Sequence, residues 1–292
     1  MKSRRSSEPG LFLKHLRGDY SLARSYWVHT VMLGWSLAFI GVFALDAIGE
    51  RYAIRHLSMA VLAFEAGLIL AWVWSLVGTW MSALKHLFGG GSKFWAIVTL
   101  LMLAVGAFAT IKEVSTMGQF LREHWETAKG RQPTDGFAIQ LVDGGRVVDF
   151  TGGINEGAAS ALDKIVADAA KVTIVRLDSP GGWLREGGRM AEVVRRYGLS
   201  TRVENECFSS CTLVLLAGLD RTTGPDALVG FHRGRPIGQS KRPTEPASDE
   251  EAAYYLRAGL SKALVQRILS TPNDDMWIPT RRELLKAEVL TR

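Results

Sequence analysis

Three short pieces between Val172 and His232 carry residue types that do acyl-transfer chemistry: Ser179-Pro180-Gly181-Gly182, Cys207-Phe208-Ser209-Ser210-Cys211 and Gly230-Phe231-His232. A serine attacks an amide only if a base takes its proton, a further group holds that base in the right tautomer, and preorganised donors receive the oxyanion. The β-branched run Val172 to Leu177 reads as a buried strand leading into a Pro-Gly-Gly turn, where no Cβ keeps a ligand from the backbone and an N–H is free to donate. A second strand, Thr201 to Asn205, enters the Cys-Phe-Ser-Ser-Cys turn, and the apolar run Thr212 to Ala217, up to Gly218, reads as a helix. A serine in that turn lies beside a helix N-terminus, whose unpaired N–H groups and positive dipole end favour a developing oxyanion. The residue after the nucleophile must lend its N–H, so only one of Ser209 and Ser210 attacks. Of the six histidines, only His232 falls inside the C-terminal part, at the end of an apolar strand where a positioned base belongs; His15, His29, His56, His86 and His124 lie upstream.

In this order the pieces resemble the Clp-type serine peptidases and, more distantly, the signal-peptide-degrading peptidases and the crotonase superfamily, from about Val147 to the C-terminal end. In that family a strand ends in Ser-Pro-Gly-Gly, the nucleophile opens a buried helix ending in Ala-Gly, and the histidine closes a later strand. Counting back without a gap from Ala217-Gly218, the resemblance implies Ser209 as nucleophile, with the N–H groups of Gly182 and Ser210 as the oxyanion hole; a gap would exchange the two serines. The family's acid precedes the last helix in an Asp-aromatic stretch, which Asp275-Met276-Trp277 before Arg281 to Ala287 resembles, so Asp275 is expected to orient His232, with Asp274 in reserve and a helix-capping pair as the other reading. Trp183 departs from the small or aliphatic residue usual after the second glycine, and either narrows the cleft or caps the following helix. Cys207 and Cys211, the only cysteines, are either a disulfide, if the turn brings their Cα atoms to ~5.5 Å, or two small buried thiols. The loop is too short for much unfolded-state entropy, so a bridge would serve local rigidity.

The elements around these pieces alternate in type. Phe137 to Leu141 and Gly145 to Phe150 read as a hairpin about Asp143-Gly144-Gly145, a helix starts near Asn155 with Ala158, Leu162, Ile165, Val166 and Ala169 on one face, and Arg185 to Tyr197 forms a crossover. Ser248-Asp-Glu-Glu251 has the pattern of a capping box opening a long helix through Leu269. The expected fold is α/β: a parallel-rich sheet with covering helices, for which about 160 residues suffice.

The first part of the chain has a different composition. Trp27 to Leu45 and Phe94 to Ile111 contain no Asp, Glu, Lys or Arg, and Leu57 to Met81 contains only Glu65, so each run approaches the ~20 apolar residues that cross a bilayer. Residue rows such as Leu68 to Trp74 show no polar face, against three helices of a soluble core. Glu65 either marks a polar path or is protonated or paired between helices. Lys2, Arg4, Arg5, Lys14, Arg17 and Arg24 outweigh Glu8 and Asp19 before the first run, which the positive-inside rule places in the cytoplasm. No small-residue cleavage site follows that run, so it is expected to stay in the membrane. Three crossings then leave the C-terminal domain periplasmic, in a multi-pass protein of the inner membrane, although Arg51 and Arg55 weaken the asymmetry.

The expected organisation is residues 1–112 as tail and three-span domain, 113–134 as a helical stalk, and 135–292 as a peptidase domain. The function read from it is a membrane-anchored serine endopeptidase acting on polypeptides near or outside the membrane by a Ser-His-Asp mechanism. The alternatives are a degenerate binding or scaffold protein on the same fold and a crotonase-like acyl hydrolase. The expected partners are a polypeptide substrate and the lipid bilayer, with homo-oligomerisation left open. The basic excess, Lys+Arg 35 against Asp+Glu 29, lies largely in the tail and carries no nucleic-acid signature; no cofactor, metal or ATPase partner is implied.

Overall fold

A computed structural model describes residues 10–49, 52–237 and 249–292. The chain divides into two compact units, Met1–Gly130 and Arg131–Arg292. Lys2, Arg4, Arg5, Glu8, Arg51 and Ser248 lie outside the described residues.

The first unit is helical: α1 (Leu11–Leu16), a π-helical turn (Arg24–Met32) running into α2 (Leu33–Gly49), α3 (Ile54–Phe88), α4 (Lys93–Thr116) and α5 (Gly118–Ala128). Among the described residues three helices, Arg24–Leu45, Ile54–Phe88 and Lys93–Thr116, are long and apolar enough to cross a membrane, with mean hydropathies of 1.8, 2.0 and 2.3. Their large side chains point outward: Trp35, Phe39, Leu70 and Phe108 are all more than 60% exposed, as a lipid-facing surface requires and a water-facing one does not tolerate. Polar contacts instead join helix to helix. The Thr30 and Thr79 hydroxyls meet at 2.8 Å, and Ser82 donates to the Tyr20 carbonyl at 2.9 Å. Glu65 is half-buried and makes no hydrogen bond or ion pair among the described residues. α4 ends at Thr116, and α5 folds back on α3 through His124 Nδ1 to Ser58 Oγ (3.1 Å) and the Arg55 guanidinium to the Ala128 carbonyl (3.0 Å).

The second unit is mixed α/β with a parallel-rich sheet. Among the described residues its six strands are β1 (Phe137–Val142), β2 (Val147–Gly152), β3 (Ile174–Ser179), β4 (Ser200–Phe208), β5 (Arg221–Thr223) and β6 (Leu228–Gly230). β1 pairs antiparallel with β2 through a turn whose residues Asp143, Gly144 and Gly145 all have positive φ; β2, β3 and β4 then run parallel. β4 is long enough to serve two partners, β5 along its first half and β6 along its second, both parallel. The alternation along these strands puts Val148, Phe150, Val175, Leu177 and Val203 on a face with no exposed surface, each contributing about 1.5–3 kcal/mol by burial. α6 (Ala158–Asp168), α7 (Leu184–Arg196) and α8 (Cys211–Leu215) supply the residues that cover it.

The long helix expected through Leu269 is two, α9 (Asp249–Arg257) and α10 (Lys262–Ser270). Gly259, at φ 90°, ends the first in a left-handed turn, and the Ser261 hydroxyl caps the second by accepting the Leu264 N–H. A C-terminal glycine two residues before an N-cap serine is the local chemistry of a helix break. The last helix, α11 (Arg281–Lys286), starts with a capping box between Thr280 and Glu283.

Candidate active site

β4 ends at Phe208 and α8 begins at Cys211, leaving Ser209 and Ser210 to make the turn. Ser209 has φ 54°, a left-handed conformation that a non-glycine residue adopts only where its surroundings enforce it. Three hydrogen bonds enforce it: the Ser209 N–H donates to the Gly230 carbonyl (3.0 Å), and the Ser209 carbonyl accepts from both the N–H and the hydroxyl of Thr212 (3.0 and 2.7 Å). A sharp strand-to-helix turn of this kind lifts a side-chain oxygen clear of the backbone. Ser209 is half-buried, whereas Ser210 has no exposed surface and its Oγ has no hydrogen-bond partner among the described residues. Cys207 and Cys211 form a disulfide across the turn, Cα to Cα 5.3 Å, and both are fully buried.

The Pro-Gly-Gly turn lies directly against this serine. A Cβ on Gly181 would sit 2.6 Å from the Phe208 carbonyl oxygen, 2.8 Å from Ser209 Cβ and 3.2 Å from the Ser210 nitrogen, so only glycine fits. Ser179, wholly buried at the end of β3, fixes the turn by accepting the Gly181 N–H (3.1 Å). The Gly181 carbonyl accepts from Ile154, and the Trp183 N–H donates to the Ile154 carbonyl, both at 2.8 Å. These bonds use every backbone N–H of the turn except that of Gly182. Among the described residues neither it nor the Ser210 N–H donates a hydrogen bond, so neither expected oxyanion donor is engaged. Trp183 occupies the cap position of α7, and its indole donates to Gln132 Oε1 at 2.9 Å.

His232 follows β6. Phe231 and Trp277 exchange backbone hydrogen bonds, each 2.9 Å, and the Arg233 N–H donates to the Thr271 carbonyl (3.0 Å), so residues 231–233 lie along residues 271–277. His232 Nδ1 sits 2.9 Å from the Asn273 carbonyl oxygen. A carbonyl only accepts, so Nδ1 carries the proton and Nε2 keeps its lone pair, the tautomer a general base needs. Nε2 is buried without a hydrogen-bond partner among the described residues. Burial holds the imidazole below its ordinary value of 6.5, and the Asn273 carbonyl only partly offsets this.

Among the described residues Asp275 makes no hydrogen bond to His232. It is exposed, and its Oδ1 accepts from the Met276 N–H at 2.8 Å, while Asp274 is also exposed. The structure therefore gathers Gly182, Ser209 and Ser210 in one turn cluster and brings Asn273 to His232 Nδ1, and among the described residues no carboxylate is hydrogen-bonded to the imidazole. The shorter contact of Asn273 with the imidazole comes from its backbone, which a reading of side-chain types does not see; its side-chain Nδ2 lies 3.5 Å from Nδ1 and donates to the Arg233 carbonyl at 3.2 Å. Glu251, expected as part of a capping box, is buried and takes the Gly234 N–H at 2.8 Å, two residues after His232; burial raises its pKa. Among the described residues no three His, Cys, Asp or Glu side chains converge as metal ligands do.

No known protein family and no curated protein matches this chain in sequence. Among solved structures the chain is similar to a mutant of ClpP1 from Listeria monocytogenes, at 14% identity and a TM-score of 0.41, over 51% of this chain and 90% of that one.

Proposed function

We propose that this chain is a membrane-anchored serine endopeptidase in which Ser209 attacks, His232 is the base and the N–H groups of Gly182 and Ser210 receive the oxyanion. The observation that carries the reading is Ser209 itself: a non-glycine residue at φ 54° on a strand-to-helix turn, with a glycine turn too close to it for any side chain. In the proposed reaction Nε2 of His232 takes the hydroxyl proton as Oγ attacks the peptide carbonyl, then returns it to the leaving amine; water reverses the sequence to free the acyl group. The Asn273 carbonyl holds the tautomer and accepts from the imidazolium that forms, but it brings no negative charge. The base is accordingly weaker than a carboxylate-backed one.

The tail charge and three crossings support an N-terminus in the cytoplasm and a peptidase domain in the periplasm, with substrate polypeptides near or outside the membrane. The Cys207–Cys211 bridge fits an oxidising compartment. A phosphatase fused after Arg131 should be active, and one fused after Gly90 silent; the reverse pattern would invert the topology. For the activity, the full chain in phospholipid nanodiscs should cleave an unfolded polypeptide, and Ser209→Ala and His232→Ala should abolish cleavage.

The scaffold reading is favoured by two observations, the unbonded Nε2 of His232 and the outward carboxylate of Asp275. It predicts no cleavage by folded wild-type protein.

A further inference from the structure

The segment Gln132–Gly136, through which the chain enters the second unit, is bound to the turn that carries the Gly182 N–H. Two side-chain links make the attachment. Gln132 Oε1 accepts from the Trp183 indole (2.9 Å) and from the Glu156 N–H (3.3 Å). Thr134 donates its hydroxyl toward Asn155 Oδ1 (3.1 Å), with the Gly181 carbonyl at 3.5 Å, and the buried Asn155 returns both Nδ2 protons, to the carbonyls of Thr134 (3.0 Å) and Asp135 (2.7 Å). The backbones are pressed together along the same line. A Cβ on Gly153 would fall 2.0 Å from Thr134 Oγ1, and one on Gly182 would fall 2.3 Å from the Ile154 carbonyl oxygen. Three layers result: the entry segment, then residues 152–155, then the Gly181–Trp183 turn against Ser209.

We infer that Gln132, Thr134 and Asn155 are positioning residues for the oxyanion donor of Gly182, so that the segment leading in from the helical unit forms part of the active-site support. The inference rests on the peptidase reading above. None of the three touches the reacting atoms; they act by fixing residues 153–155 and Trp183, between which the glycine turn is hydrogen-bonded. An oxyanion donor works only when held at its place before the reaction, and small displacements of positioned groups cost rate without weakening ground-state binding. A role of this kind moves kcat and leaves KM.

The test compares full-chain variants in nanodiscs for peptide cleavage and for the rate of phosphonate inactivation. Thr134→Val and Gln132→Met remove the polar atoms at constant shape, and Thr134→Ser and Gln132→Glu keep the donor and the acceptor. The expected result is a fall in kcat of about tenfold or more for the first pair, with KM within about twofold and inactivation slowed in parallel, and near wild-type values for the second pair. Asn155→Ala should exceed either, provided its thermal transition shows it folded. Kcat within twofold of an active wild type in both Thr134→Val and Gln132→Met would overturn the inference and leave the peptidase reading standing. So would losses that the conservative pair fails to restore. An inactive but folded wild type would instead remove the peptidase reading itself.

Discussion

On the serine side of the site, Ser209 is held by three hydrogen bonds, a disulfide flanking its turn, and a glycine too close to bear a side chain. On the histidine side, His232 is held through Nδ1 by Asn273 alone, whose carbonyl lies at 2.9 Å and whose side-chain Nδ2 lies at 3.5 Å, and the carboxylate expected to back it is exposed. The first side is built from backbone geometry that allows one arrangement; the second depends on contacts from one residue, Asn273, in a segment joined to residues 231–233 by backbone pairing of Phe231 with Trp277 and of Arg233 with Thr271. Under the proposed function the difference teaches that a serine turn and its two neighbouring N–H groups can be set while the histidine has no partner at Nε2 among the described residues, an arrangement common where catalytic contacts tighten only with substrate bound.

The largest effects should come from the reacting groups. Ser209→Ala and His232→Ala should each lower cleavage by about 10⁴-fold or more, because the members of such a unit fail together. Ser210→Ala should stay within about threefold, since only its N–H is used, and removing a buried hydroxyl without a partner should leave thermal stability unchanged or higher. A severe loss in Ser210→Ala with a mild one in Ser209→Ala would exchange the two serines.

Next comes the glycine turn. Gly181→Ala forces a side chain into a left-handed residue at φ 92° and against the Phe208 carbonyl, so activity should fall about 10²–10³-fold, as when an oxyanion donor is lost. If the variant cleaved at the wild-type rate, the serine side would not be as tightly fixed as described. Cleavage of the Cys207–Cys211 bridge should have a smaller effect, about tenfold, through the same turn. Before reductant is added the unfolded protein should show no titratable thiol; two thiols there would remove the bridge from the account.

The histidine side is sharpened by pH and by Asp275. The imidazole is held below 6.5 by burial, so the acid limb of kcat/KM should fall below that value, with activity present above it and lost as pH drops through it. The stability sign agrees. A depressed native value means that the unfolded chain binds more protons near pH 6, so the native state loses stability as pH falls through 6.5 and onward. An acid limb above 6.5 would require a carboxylate at the imidazole. Asp275→Asn should change kcat less than threefold; a loss near the ~10⁴ seen when a triad aspartate becomes asparagine would return Asp275 to that role.

Much of the serine side was legible because it is written in residue types. Glycines mark close approach, a Cys-x-Ser-Ser-Cys run before an apolar helix marks a turn, and His232 was the one histidine in the C-terminal part. The three apolar helices were legible for the simpler reason that composition alone sets them apart. The contact at His232 Nδ1 was not, because a backbone carbonyl leaves no trace in side-chain identity, whereas the carboxylate of Asp275, the residue the resemblance pointed to, accepts from the Met276 N–H. The links between Thr134, at the end of the expected stalk, and Asn155, near the expected start of a helix, were not legible, since they join positions far apart in sequence. The break at Gly259 and Ser261 was present in the chain as a glycine stop and a serine cap, and the apolar periodicity on either side concealed it.

The central claim is that Ser209 is the activated nucleophile of this chain, and mapping a serine-directed phosphonate adduct on the folded, membrane-reconstituted protein tests it most directly. The account predicts one adduct, on Ser209, abolished in His232→Ala and retained in Asp275→Asn. An adduct on Ser210, or no adduct on wild-type protein shown to be folded, would contradict it.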